Sequence, residues 1–178
     1  AGLSQSGQNN SGTIYQSGSN NGANIDQFGD SNSSRIVQYG SGNRADSMIL
    51  GGNRNITSIE QKVGDNHASI FISNGDSNRS TIRQYGTANS AYTMVYSPET
   101  ALANTSYIYQ SGDGNVSSIS QSGSGNKANI RQYGDANNAS IEQNGSYNNV
   151  SIAQYNGNKQ YSITQNGSNI PAVSIVQQ

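Results

Sequence analysis

The chain has no cysteine, which excludes a disulfide framework and a thiolate metal site alike. It is also poor in the material of an ordinary core. Only 31% of its 178 residues are hydrophobic and 11% charged, against about 45–50% and about 25% in a typical globular domain. No apolar run approaches the roughly 18 residues that a membrane span needs. The opening Ala1-Gly2-Leu3-Ser4-Gln5 has neither the basic nor the apolar region of a signal peptide. With a net charge of −1, nothing points to nucleic acid as a partner. Disorder usually couples low hydrophobicity to high net charge, and here that charge is missing. The alternative is a regular array in which polar side chains are themselves the packing units.

What is present is a repeat. Gln5, Gln16, Gln27 and Gln38 are spaced by eleven, as are Gln110, Gln121, Gln132, Gln143, Gln154 and Gln165. The phase runs between the two series through Ile49, Gln61, Ile72, Gln84 and Val95 and ends at Gln177. Two residues before nearly every one of these slots stands isoleucine: Ile14, Ile25, Ile36, Ile59, Ile70, Ile82, Ile108, Ile119, Ile130, Ile141, Ile152, Ile163 and Ile175. The exceptions are Leu3, Ser47 and Thr93. A small residue precedes the isoleucine by two, glycine commonly follows the slot by two, and asparagine often follows it by five. The marked positions alternate with period two, which is one face of a strand and excludes a helix. Glycine and its polar neighbours supply a turn.

Eleven residues make one strand and one turn, so two units close a flattened coil. The four longer spacings, which lead to Gln61, Gln84, Gln110 and Gln177, all leave an odd slot and enter an even one. Every extra residue therefore falls on the same turn. The expected fold is all-β: a two-sheet parallel β-solenoid of about eight rungs of 22–23 residues, with two strand–turn units per rung. It is expected to occupy residues 1–178 as one domain, with an irregular charged section at 44–104 and a protruding loop near 97–103. Stacked rungs bring like residues over one another, so glutamine amides can bond to their copies above and below. The structural ladder is expected in an unbroken even column, Gln16, Gln38, Gln61, Gln84, Gln110, Gln132, Gln154 and Gln177. An odd column joins Gln5 and Gln27 and then Gln121, Gln143 and Gln165. The thirteen isoleucines form the core beside them.

The pattern resembles the curlin family, the subunits of bacterial curli fibres. Their repeat joins two glutamines eleven apart, with glycine after the first and asparagine between them. Here Gln16-Ser-Gly-Ser-Asn-Asn21 leads to Gln27, and Gln132-Tyr-Gly-Asp-Ala-Asn137 leads to Gln143. The resemblance extends over essentially the whole chain. It implies a self-assembling subunit of an extracellular functional amyloid, exported by a Gram-negative-type bacterium to a cell-surface fibre serving biofilm matrix, adhesion and aggregation. The partners it implies are further copies of the chain, stacked end to end, a nucleator subunit and secretion or chaperone machinery. Matrix polysaccharide is a further candidate. Membrane insertion is not expected. The terminal repeats are regular and favour a major subunit. The alternatives are a nucleator-type subunit and, in a different class, a soluble β-solenoid adhesin or ligand-binding module. In the resembling family, charged interior repeats slow premature polymerisation, and ten of the nineteen charged residues here lie between Arg44 and Glu99.

No enzyme, metal or cofactor is expected. His67 is the one histidine and no cysteine could join it in a site, and no serine has a histidine partner in repeating geometry. Tyr39, Tyr85, Tyr133 and Tyr155 each follow an even-slot glutamine and predict an aromatic stripe on one outer sheet. Met48, Leu50, Phe71 and Met94 predict an apolar patch on the other. Glu60 and Arg83 fall at equivalent positions of adjacent rungs, where they can pair.

Overall fold

In the computed structural model the chain is a β-solenoid of eight layers, described for residues 1–98 and 101–178. Two eight-stranded parallel sheets form it. The first, sheet A, contains β1 (Gly2–Ser6), β3 (Gly22–Phe28), β5 (Arg44–Leu50), β7 (His67–Ser73), β9 (Ser90–Tyr96), β11 (Val116–Ser124), β13 (Asn138–Ser146) and β15 (Gln160–Asn166). The second, sheet B, contains β2 (Ser11–Ser17), β4 (Ser33–Tyr39), β6 (Ile56–Gly64), β8 (Arg79–Thr87), β10 (Thr105–Ser111), β12 (Lys127–Tyr133), β14 (Asn149–Gln154) and β16 (Val173–Gln177). Each layer is one strand of sheet A followed by one of sheet B. The fold read from the repeat is borne out.

Neighbouring layers pair in register. Ile130 lies between Ile108 and Ile152, and Gln132 between Gln110 and Gln154. The longer spacings do not disturb this. Gln61 aligns with Gln84, and Gln84 with Gln110, as strictly as the 22-residue steps do. Extra residues are absorbed in the turn between a sheet A strand and its sheet B successor, where no ladder hydrogen bond has to shift. Of the loop expected near 97–103, Glu99 and Thr100 lie outside the described residues.

The core lies between the sheets. Alternation puts the slot residue, the residue two before it and the residue four before it on the inner face, and the intervening ones outside. Ile25, Ile36, Ile49, Ile59, Ile72, Ile82, Ile108, Ile119, Ile130, Ile141 and Ile152 are wholly buried. The isoleucine column of sheet A faces the small column of sheet B, so large meets small across the core. Two irregular positions expose this arrangement. Ser47 and Thr93 stand in the isoleucine column, and each meets hydroxyls of the facing small column. Ser47 Oγ lies 2.6 Å from Thr57 Oγ1, which donates to Ser34 Oγ at 2.8 Å. Thr93 Oγ1 lies 2.6 Å from Ser80 Oγ, which accepts from Ser106 at 2.8 Å. The lost aliphatic contact is replaced by a closed hydroxyl network, the condition under which polar groups tolerate burial.

Candidate functional site: amide ladders and two outer faces

The structure places the even glutamines in one continuous amide ladder. Gln16 Nε2 donates to Gln38 Oε1 at 2.7 Å, and the same bond leads through Gln61, Gln84, Gln110, Gln132 and Gln154 to Gln177. All bonds run in one direction, the donor always on the earlier layer. The second amide hydrogen is used as well. Gln61 Nε2 also donates to the Arg44 carbonyl, Gln84 Nε2 to that of His67 and Gln110 Nε2 to that of Ser90, each at 2.9 Å. These amides tie sheet B to the starting residues of sheet A strands.

The odd column falls into two pieces. Gln5 donates to Gln27 at 2.7 Å, and Gln121 to Gln143 and Gln143 to Gln165 at 3.0 and 3.1 Å. Between them stand Ile49, Ile72 and Val95, all wholly buried. The two broken ends are orphaned: Gln27 Nε2 and Gln121 Oε1 are buried with no hydrogen-bond partner among the described residues. An unmatched buried amide atom costs about 1–3 kcal/mol, so each edge of the interruption carries a local penalty in sheet A.

Asparagines form a further pair of ladders at the turns, clamping one layer to the next. Asn104 Nδ2 donates to the Gly123 carbonyl, Asn126 to Gly145 and Asn148 to Gly167, each at 2.8 Å. Their Oδ1 atoms accept backbone N–H groups from the following layer, as Asn78 does from Asn104 at 2.9 Å. Sequence reasoning missed Asn55, Asn78 and Asn104 in these columns because it counted forward from the preceding slot. Counted back from the following one, every column asparagine sits six before it, and the insertions drop out.

The tyrosine stripe is present but its membership differs. Only Tyr133 and Tyr155 touch directly, with ring centroids 5.1 Å apart and planes 3° from parallel. Tyr85 reaches Tyr133 through Tyr109, at 5.5 and 5.4 Å. Tyr39 packs at a tilt against Tyr15, centroids 5.6 Å apart, and Lys62 Nζ bridges it to Tyr85, 6.0 Å from one ring and 4.8 Å from the other. Tyr15 and Tyr109 precede their glutamines. They occur on the two layers where serine (Ser17, Ser111) holds the position after it. Positions two apart share the outer face, so either lets a ring join the column. That exchange was the signal available in the sequence.

On the outer face of sheet A, Met48, Phe71 and Met94 lie in register, with Leu50 and Met94 each 37% exposed. Charge is paired in the third and fourth layers. Glu60 holds Lys62 at 2.9 Å and Arg83 at 3.7 Å, and Arg44–Asp46 and Arg54–Asp76 pair at 3.2 and 3.6 Å. Desolvation pushes the Glu60 carboxyl up. Hydrogen bonds from Lys62 and Tyr85 and the charges of Lys62 and Arg83 outweigh it and hold the group below its ordinary value of 4.5. A carboxylate with a depressed folded-state pKa adds stability above its unfolded value, and that stability is lost as pH falls through the folded value. Glu60→Gln is therefore expected to lower stability at pH 7 slightly, by less than about 1 kcal/mol, with the difference shrinking as acid carries the pH below 4.5 and through the folded-state value, from pH 7 to pH 3. Denaturant titration at the two pH values measures both. His67 is exposed on the sheet A face, and among the described residues no three His, Cys, Asp or Glu side chains converge.

The curlin associated repeat, as a family pattern, matches residues 1–29, 18–46, 103–134 and 123–155, more than half of the chain. The segment left between the matches holds the layers in which Ile49, Ile72 and Val95 replace glutamine. No curated protein and no solved structure matches the chain.

Proposed function

The chain belongs to the curlin family, and from that premise we propose that it is the self-assembling structural subunit of an extracellular curli-type amyloid fibre, serving biofilm matrix and surface adhesion. The observation that carries this reading is the polarity of the amide ladders. The first layer presents Gln5 and Gln16 with their Oε1 acceptors unmatched by any described residue, and the last presents Gln177 Nε2 as a donor. A second copy stacked in the same direction would bring donor to acceptor and continue the column. The apolar columns are open at the same places: Leu3 is 50% exposed, and Ile14 and Ile175 are only partly buried, whereas the interior isoleucines are covered. Burying them again is a favourable term of about 25 cal/mol per Å² of apolar surface.

In this reading the partners are further copies of the chain, with a nucleator subunit and secretion machinery that carry it to the cell surface. The interrupted odd column of the third to fifth layers and the paired charges of the third and fourth act as the section that slows premature polymerisation. The test is seeded growth. Purified chain is expected to form fibres giving a reflection at about 4.7–4.8 Å along the axis, with the lag removed by preformed fibre. A chain that stays monomeric at all concentrations with seeds present overturns the reading.

A further inference from the structure

The two outer faces carry opposite charge. On sheet B the outward positions hold Arg35, Lys62, Arg79, Arg83, Lys127 and Arg131 against a single carboxylate, Glu60, a net of +5. On sheet A they hold Asp26, Asp46 and Glu142 against Arg44, a net of −2. The near-neutral total hides this separation. The sheet B cations are also ordered. Arg79 and Lys127 both align with Thr105, and Arg83 and Arg131 both align with Tyr109. Each pair is thus two layers apart, about 9–10 Å along the solenoid axis.

Within this lattice lies a groove of about 350 Å³, walled by Thr105, Tyr107, Lys127, Asn129, Arg131 and Asn149. The Arg131 guanidinium sits 5.9 Å from the centre of the Tyr107 ring. No described carboxylate lies within 4 Å of Lys127 or Arg131. Asn129 Oδ1 is buried in the same wall and accepts no hydrogen bond from any described residue. Two cations without a described carboxylate partner favour an anion here, and one that carries a hydrogen-bond donor beside its charge would satisfy Asn129 once that amide turns into the groove.

We propose that the sheet B face binds an acidic polysaccharide, with one hexuronate unit in this groove. The carboxylate meets Arg131 and Lys127, a neighbouring hydroxyl donates to Asn129 Oδ1, and Tyr107 takes the apolar face of the sugar ring. The chain of sugars runs along the axis, so that its later carboxylates reach Arg79 and Arg83. Duplex DNA would satisfy the cations, but its phosphate backbone offers acceptors only and leaves Asn129 Oδ1 unmatched. The sheet A face of another copy fits less well. It offers three acids against six cations, and each is already engaged, Asp46 with Arg44 and Asp26 and Glu142 with the amides of Asn24 and Asn144. The proposal concerns one face of one chain and does not depend on copies stacking.

The test uses the full chain with sodium polygalacturonate as probe, and dextran and duplex DNA as comparators. Saturable binding of polygalacturonate is expected, weakening with salt as contacts between exposed charges do, with dextran unbound. Lys127→Gln/Arg131→Gln should weaken polygalacturonate binding at least tenfold. Asn129→Ala should weaken it several-fold while leaving DNA binding unchanged, and Arg54→Gln, on a turn, should alter neither. Should the double variant disturb the strand spectrum, Arg79→Gln/Arg83→Gln carries the same comparison. Equal binding by the groove variants, equal binding of dextran, or tighter binding of DNA that ignores Asn129→Ala would each overturn the proposal. So would loss of polygalacturonate binding on adding more of the chain itself, which would assign the face to a second copy.

Discussion

Gln84→Met is expected to destabilise the folded chain by about 2–4 kcal/mol, although methionine is unbranched, similar in length and more hydrophobic. The reason is local to the ladder. Gln84 accepts from Gln61 and donates both to Gln110 and to the His67 carbonyl. Removing it leaves Gln110 Oε1 buried without a donor and unties sheet B from the start of β7. Gln61 keeps its second bond to the Arg44 carbonyl, so the damage is concentrated on one side of the substitution. Gln177→Met supplies the contrast. It ends the same column at a half-buried position, and Gln154 Nε2 keeps its bond to the Asn138 carbonyl. Denaturant midpoints of the two variants should separate clearly. Equal midpoints would mean that burial of aliphatic surface, not amide pairing, holds the column.

The second large effect is expected near the end of a strand, where it runs out into its turn. Gly123 has φ +115°, a backbone conformation closed to L side chains without strain, and a Cβ there would run into the Gly145 carbonyl of the next layer. That contact is rigid backbone rather than the tip of a side chain. The Gly123 carbonyl is itself held by Asn104, so the turn cannot back away without losing the clamp. Strain and overpacking together put the cost of Gly123→Ala at roughly 2–6 kcal/mol. Gly114→Ala is the comparison that isolates the clash. Gly114 also has positive φ, +65°, but open space surrounds it, so only the conformational part of the penalty, about 1–2 kcal/mol, should remain. If the two alanine variants unfold at the same denaturant concentration, the close approach of successive turns contributes nothing.

Much of the molecule follows from spacing alone. A period of two within the repeat dictates which residues face inward, and the period of eleven dictates a strand and a turn. The confinement of every extra residue to one turn dictates two sheets and layers in register. The even glutamine ladder and the buried isoleucines therefore stand where counting puts them. Spacing works here because stacking like on like is a local rule, in which each residue's neighbours are its own counterparts.

What counting could not supply depends on contacts across the coil or between unlike positions. Ser47 and Thr93 read as gaps in a hydrophobic column, and only the facing sheet reveals the hydroxyls of Thr57, Ser34 and Ser80 that close them. The orphaned ends at Gln27 and Gln121, and the exchange of Tyr15 and Tyr109 into the aromatic column, require side-chain geometry. So does the groove around Asn129. The sequence by itself determined the repeat, the layers and their ladders, because these arise from each unit meeting its copy. Only the tertiary structure decided how the two sheets repair each other's exceptions and how a nearly neutral chain acquires one cationic face, because these depend on residues that share no period.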